Sequence, residues 1–170
     1  MEIRENQLVK TFEEWGPEFH VEFDFTILKL PPNQLIIFRI SNGDTRYGNG
    51  NSDLLPVMAL HSDGKVRITN TLHEDLKDPI IFSPELNKKS HVAIKQHQVG
   101  AGAQNIYYYV DVDGEVKQNA KNDAPKTYKH VMFYASGSWE GNPFISEFGM
   151  IENMIVYQGL YCNMYLYTTS

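Results

Sequence analysis

Cysteine is almost missing from this chain. Cys162 stands alone, so no disulfide forms within one molecule and the fold must rest on its apolar core. A lone thiol suits a reducing compartment and equally permits a bridge between two copies. No Asn-x-Ser/Thr sequon occurs, which gives no sign of N-glycosylation. Clustered positive charge is also missing. The longest cationic run is Lys88-Lys89, and 15 Lys and Arg stand against 21 Asp and Glu, a net charge of -6. Nucleic-acid backbones are gripped by grouped cations, so no nucleic-acid partner is expected. No apolar run reaches the length of a membrane span. The opening MEIRENQLVKTFEEW has no apolar stretch of the kind a signal peptide carries. The six histidines show neither H-x-H nor H-E-x-x-H spacing, which argues against zinc. G-x-S-x-G is absent, and with it the strained nucleophile turn of a serine hydrolase. No amphipathic helix is visible; PELNKKS, residues 84–90, forms one turn at most. No repeat or low-complexity linker divides the chain. It reads as one domain over 1–170, with a core about 12–158 and a tail over 159–170.

What is present is aromatic and alternating. Ten Tyr and nine Phe sit in short runs between turn signals. In FHVEFDFTI, Phe19, Val21, Phe23, Phe25 and Ile27 point one way and His20, Glu22, Asp24 and Thr26 the other, the period of a half-buried strand. QLIIFRI follows the Pro31-Pro32 break. LLPVMALHSDGKVRIT and NIYYYVDVDGEVKQNA read as hairpins turning at Asp63-Gly64 and Asp113-Gly114, because Asp-Gly readily takes the positive φ of a tight turn. SHVAIKQH, KHVMFYAS and FGMIENMIVYQ complete the series, and Tyr161, Met164, Leu166 and Tyr167 suggest a last strand in the tail. Ten to twelve strands at regular spacing predict an all-β sandwich or jelly roll of two antiparallel sheets. Within YYY, Tyr108 should pack inward, with Tyr107 and Tyr109 outward.

The order of segments resembles a concanavalin A-like sandwich, in its laminin G-like and pentraxin-like branch. The motifs are Asp63-Gly64-Lys65, the strand Ser90-His91-Val92-Ala93-Ile94, the hairpin from Tyr109 to Gly114, and Gly149-Met150-Ile151. Tyr134-Ala135-Ser136-Gly137-Ser138-Trp139 stands where laminin G-like domains of invertebrate extracellular proteins run into a similar loop. Ser90 replaces a frequent Trp, and Gly137-Ser138 replace Asp-Pro. The resemblance spans roughly 12–158. It implies a concanavalin A-like jelly roll, an extracellular setting and a binding role.

Three constellations bear on function. Glu22 and Asp24 share a strand face, as the carboxylates of retaining glucanases of this general fold do, but Thr26 stands where an acid/base carboxylate is needed. They read as solvated groups on the outer face of an edge strand, and no catalysis is expected. The loop SNGDTRYGNGNSD, residues 41–53, offers Asp44, Tyr47, Asn49 and Asn51 for hydrogen bonds to sugar hydroxyls. Its Asp44, Asn51 and Asp53 are candidate calcium ligands, since hard cations take side-chain oxygens. The alternative is a loop whose Asn and Gly residues serve turn geometry. In SGSWEGNPF, residues 136–144, Trp139 offers a stacking face for a pyranose, and Glu140 and Asn142 take hydroxyls. Equally, Trp139 folds onto the sandwich end beside Pro143 and Phe144. The expectation is non-catalytic, lectin-like binding of a glycan or glycoconjugate through rim loops, aided by calcium. The alternative is an adhesive module that self-associates through its tail or Cys162.

Overall fold

In the computed structural model the described residues are 7–42, 56–69, 78–100, 105–137, 147–159 and 165–167. They form twelve strands and, among the described residues, no helix. The strands are β1 (Gln7–Trp15), β2 (Phe19–Ile27), β3 (Leu35–Asn42), β4 (Val57–Leu60), β5 (Val66–Thr69) and β6 (Ile80–Phe82). They continue as β7 (Lys89–Gln98), β8 (Ile106–Val112), β9 (Glu115–Asn122), β10 (Tyr128–Gly137), β11 (Gly149–Gln158) and β12 (Tyr165–Tyr167). One six-stranded sheet, A, runs β1-β10-β3-β4-β5-β6; the other, B, runs β12-β11-β2-β7-β8-β9. Every paired neighbour is antiparallel.

Alternation puts one face of each sheet into the shared core. Sheet B contributes Val21, Phe23, Phe25, Val92, Ile94, Tyr108 and Val110; sheet A contributes Leu35, Ile37, Phe38, Ile40 and Phe133. Phe38 joins the layers: its ring meets Phe23 edge-on at 5.3 Å and stacks on Phe133 at 5.7 Å. At one end Trp15 is 1% exposed and packs between Phe12 and Phe19, at 4.6 and 5.4 Å. Two buried amides beside this core are paired. Asn122 Nδ2 donates to Gln96 Oε1 at 2.9 Å, and Gln96 Nε2 donates to the carbonyl of Pro17.

Both predicted hairpins form. Asp113 and Gly114 take φ of 54° and 83°, a two-residue loop whose twist matches its strands. Gly64 sits at φ 79° in the β4–β5 turn, where Asp63 accepts from the Lys65 amide at 3.0 Å. Tyr108 is fully buried and Tyr107 and Tyr109 are half-buried on the outer face, as their alternation predicts.

Two sequence expectations are corrected. β2 is not an edge strand, because β11 and β7 pair with it on both sides. Its outer face is not uniformly solvated either: His20 is 9% and Thr26 7% exposed. A polar period marks which face a residue takes, and the neighbouring strands decide how much water that face sees.

Candidate functional site

The outer face of sheet B carries a row of polar and aromatic side chains set by register alone. Tyr157 on β11 pairs with His20 on β2, and His20 pairs with Lys95 on β7. Lys95 pairs with Tyr109 on β8, and Tyr109 with Asn119 on β9. Residues directly opposite in adjacent strands point to the same side, so these five side chains form one line perpendicular to the strands. The next row is Ile155, Glu22, Ala93, Asp111 and Val116. Ala93 is its small member, and above it opens a hollow of about 440 Å³ bounded by His91, Lys95, His97, Tyr109 and Asp111. A second hollow of about 350 Å³ lies between Glu18, His20, His97 and Tyr157. Lys95 and His97 border both hollows.

His20 has both ring nitrogens engaged. Its Nε2 lies 2.6 Å from Glu22 Oε2, and its Nδ1 lies 2.7 Å from the Tyr157 hydroxyl. An ionised carboxylate only accepts, so Nε2 carries the hydrogen and donates to Glu22. In the neutral ring Nδ1 is then an acceptor, and Tyr157 donates to it. The rings of His20 and Tyr157 lie 4.6 Å apart, which fixes the approach. Burial pushes the His20 pKa below its ordinary value, against the bond and charge of Glu22; Lys95 and His91 push it the same way as burial. The neutral imidazole is therefore the resting form at neutral pH, with a phenol proton resting against it.

This shift has a consequence for stability. A histidine whose folded pKa is depressed binds its proton more readily when unfolded. Its contribution is complete above the ordinary value of about 6.5 and is lost as pH falls from there toward the folded value. His61, lowered by burial and then by Arg67, acts in the same direction. Denaturant midpoints measured at about pH 7.5 and about pH 5.5 should fall on acidification. They should fall less in His20→Gln, whose remaining loss over this window is that of His61.

A second cluster flanks the first. His91 Nδ1 donates to Asp24 Oδ1 at 2.9 Å, and Asn153 Nδ2 donates to Asp24 Oδ2 at 2.7 Å. Lys89 Nζ lies 2.8 Å from Glu152 and 3.8 Å from Asp24. Burial works to raise the Asp24 pKa, but the bonds from His91 and Asn153, with the charges of His91 and Lys89, outweigh it and hold the carboxyl below its ordinary value. Glu22 and Asp24 do share the outer face, and each is bound to a histidine. Asp111 accepts from the Gly114 amide at 2.9 Å, and Glu18 accepts from the Gln98 amide at 3.2 Å. Lys95 is a cation with no carboxylate within ion-pair distance among the described residues.

The rim residues predicted from sequence are a different set. Asp44, Tyr47, Asn49, Asn51, Asp53, Trp139, Glu140 and Asn142 all lie outside the described residues, as does Cys162. The strand residues bordering the two loops are described, and they sit at opposite ends of one ladder. Asn42 pairs with Val131, whereas Gly137 pairs with Ile36. Six residues of extended chain, about 20 Å, separate those ends. The tail does supply a strand, β12, at the edge of sheet B.

No protein-family model and no curated protein matches the sequence. Solved structures do. Trypanosoma rangeli sialidase in complex with sialic acid is 19% identical with a TM-score of 0.57, over 85% of this chain and 21% of that one. Family 7 alginate lyase A1-II', a doubly substituted variant in complex with substrate (GGMG), is 13% identical with a TM-score of 0.55, over 88% of this chain and 66% of that one. An alginate lyase from Pseudomonas aeruginosa is 16% identical with a TM-score of 0.52, over 86% of this chain and 68% of that one. The chain thus spans about a fifth of the sialidase's length. At such identities the likeness is one of fold. It does not support the laminin G-like branch. It also corrects the expectation that the chain is no enzyme: that expectation followed from the missing third carboxylate in β2 and from the absence of zinc-type and serine-hydrolase spacings, yet the neighbours named here, a sialidase and two alginate lyases, are enzymes. The chain adopts a concanavalin A-like jelly roll, a fold it shares with alginate lyases and with part of a sialidase.

Proposed function

We propose that the chain is a carbohydrate-active protein that holds an acidic glycan on the outer face of sheet B and moves a proton on it through Tyr157. The observation that carries this reading is the Tyr157–His20–Glu22 relay, with bonds of 2.7 and 2.6 Å opening onto a hollow that Lys95 also borders. His20 takes the phenolic proton and Glu22 stabilises the imidazolium. The phenolate removes the hydrogen α to a sugar carboxylate, whose growing charge Lys95 offsets. The electron pair forms a carbon–carbon double bond and the β-oxygen of the glycosidic link departs. Tyr157 protonates that oxygen and recovers its own proton from His20. The net reaction is eliminative cleavage with no water consumed. Hydrolysis by paired carboxylates finds less support, since Glu22 and Asp24 are both committed to histidines.

The neighbours favour the substrate class: two carry alginate lyase in their names and one holds sialic acid. Rim contacts from Asp44, Tyr47, Asn49, Asn51, Trp139, Glu140 and Asn142, calcium at Asp44, Asn51 and Asp53, and an extracellular setting are further parts of the proposal. They draw on the loop chemistry and motif order alone. Incubating the protein with polymeric alginate and with a sialylated oligosaccharide tests the reading. Appearance of ultraviolet-absorbing unsaturated ends from alginate supports it. Release of free sialic acid alone, or no product from either, overturns it.

A further inference from the structure

Resting on that reading, we propose that the ligand lies across the strands, along the row Tyr157–His20–Lys95–Tyr109–Asn119, and is an internal stretch of an acidic polysaccharide rather than a single terminal sugar. Four successive pairings place these residues in register from β11 to β9. With strands about 4.8 Å apart, Tyr157 to Tyr109 covers about 14 Å, room for about three pyranose rings end to end. The two hollows abut and share Lys95 and His97, so they form one trough with a cation at its middle.

The far end of the trough is built to hold a sugar without reacting with it. Tyr109 and His97 stack at 5.0 Å with their planes 11° apart, and Tyr107 follows Tyr109 at 6.3 Å. This aromatic cluster gives the far end an apolar surface for the C–H side of a pyranose. Ala93 keeps the floor beside it low, because any larger side chain in its row would fill the space between Glu22 and Asp111. The chemistry sits at the other end, at Tyr157. A monosaccharide on the relay leaves the Tyr109 surface empty, whereas a chain joins the two. The carboxylates along the trough each accept a hydrogen bond, Glu18 from the Gln98 amide, Glu22 from His20 and Asp111 from the Gly114 amide, and Lys95 is the side chain there placed to meet a ligand carboxylate. An acidic chain that sets a carboxylate opposite Lys95 gains a contact that a neutral chain lacks.

The test is a calorimetric titration of Tyr157→Phe protein, chosen so that bound chains are not cleaved. The probes are alginate oligosaccharides of one to five units, sialic acid, and carboxyl-reduced alginate oligosaccharides. Affinity should climb with each unit to about three and then level off. Sialic acid should bind no better than the alginate monomer, and carboxyl reduction should weaken every length. Tyr109→Ala should weaken the longer oligomers about tenfold, the scale of one lost aromatic contact, and leave the dimer nearly unchanged. Equal affinity for monomer and tetramer overturns the crossing trough, as does a Tyr109→Ala loss that is the same at all lengths; both leave the relay standing. Length-dependent binding by a wild-type protein that cleaves nothing overturns the relay and keeps the trough. No binding by any probe overturns both.

Discussion

Replacing Tyr157 with phenylalanine should lower turnover of an acidic polysaccharide by about 10²–10⁴-fold, the scale of one positioned acid–base group. The substitution removes one oxygen and keeps the ring. The tilted ring contact with His20 at 4.6 Å is retained, and so is the wall of the smaller hollow. KM should therefore change little while kcat collapses, because the lost interaction forms only as the proton moves. His20→Gln should follow the same pattern, since an amide holds a hydrogen bond and takes no proton. Glu22→Gln should be milder, because it weakens the imidazolium without removing the base. A Tyr157→Phe protein with unimpaired kcat would end the assignment of the proton to that oxygen.

Phe38→Ala should destabilise the fold by about 3–5 kcal/mol, read from the denaturant midpoint at constant slope. Phe38 is fully buried, meets Phe23 of sheet B edge-on and stacks on Phe133 of its own sheet. Its loss leaves a void where the two layers meet, and the flanking rings are held by strands that cannot close in. For a chain of this length the thermal midpoint should drop by roughly 10 °C. Phe12→Ala, at the edge of the core and 8% exposed, should cost clearly less. Equal losses at the two positions would contradict a core centred on Phe38.

The architecture was legible because its signals are local. FHVEFDFTI alternates, Asp113-Gly114 can only be a tight turn in its setting, and Tyr108 faces inward because its neighbours face out. β1 and β6 were harder to see. β1 is mostly exposed on one side, which blurs its period, and β6 has three residues. The site was legible only in fragments. Glu22, Asp24, His91 and Tyr109 are each conspicuous within their own strands, yet none points to Tyr157, which lies 137 positions from His20. A row across a sheet depends on which strands pair and in what register, and register between distant strands leaves no pattern in either one. The rim loops are conspicuous for the opposite reason. Gly, Asn, Asp and an isolated Trp form a conspicuous local composition, and composition carries no information about which ends of the sandwich the loops leave. The expectation of no catalysis has the same origin: a third carboxylate is a pattern along one strand, whereas the Tyr157–His20–Glu22 hydrogen bonds join two strands.

The most direct measurement is backbone and side-chain NMR shift mapping while an alginate tetramer is titrated into Tyr157→Phe protein. The row on sheet B predicts that the largest perturbations fall on His20, Lys95, His97 and Tyr109 and extend to Asn119 on β9. Perturbations confined to residues 43–55 or 138–146, with those five signals unmoved, would contradict it and return the binding site to the rim.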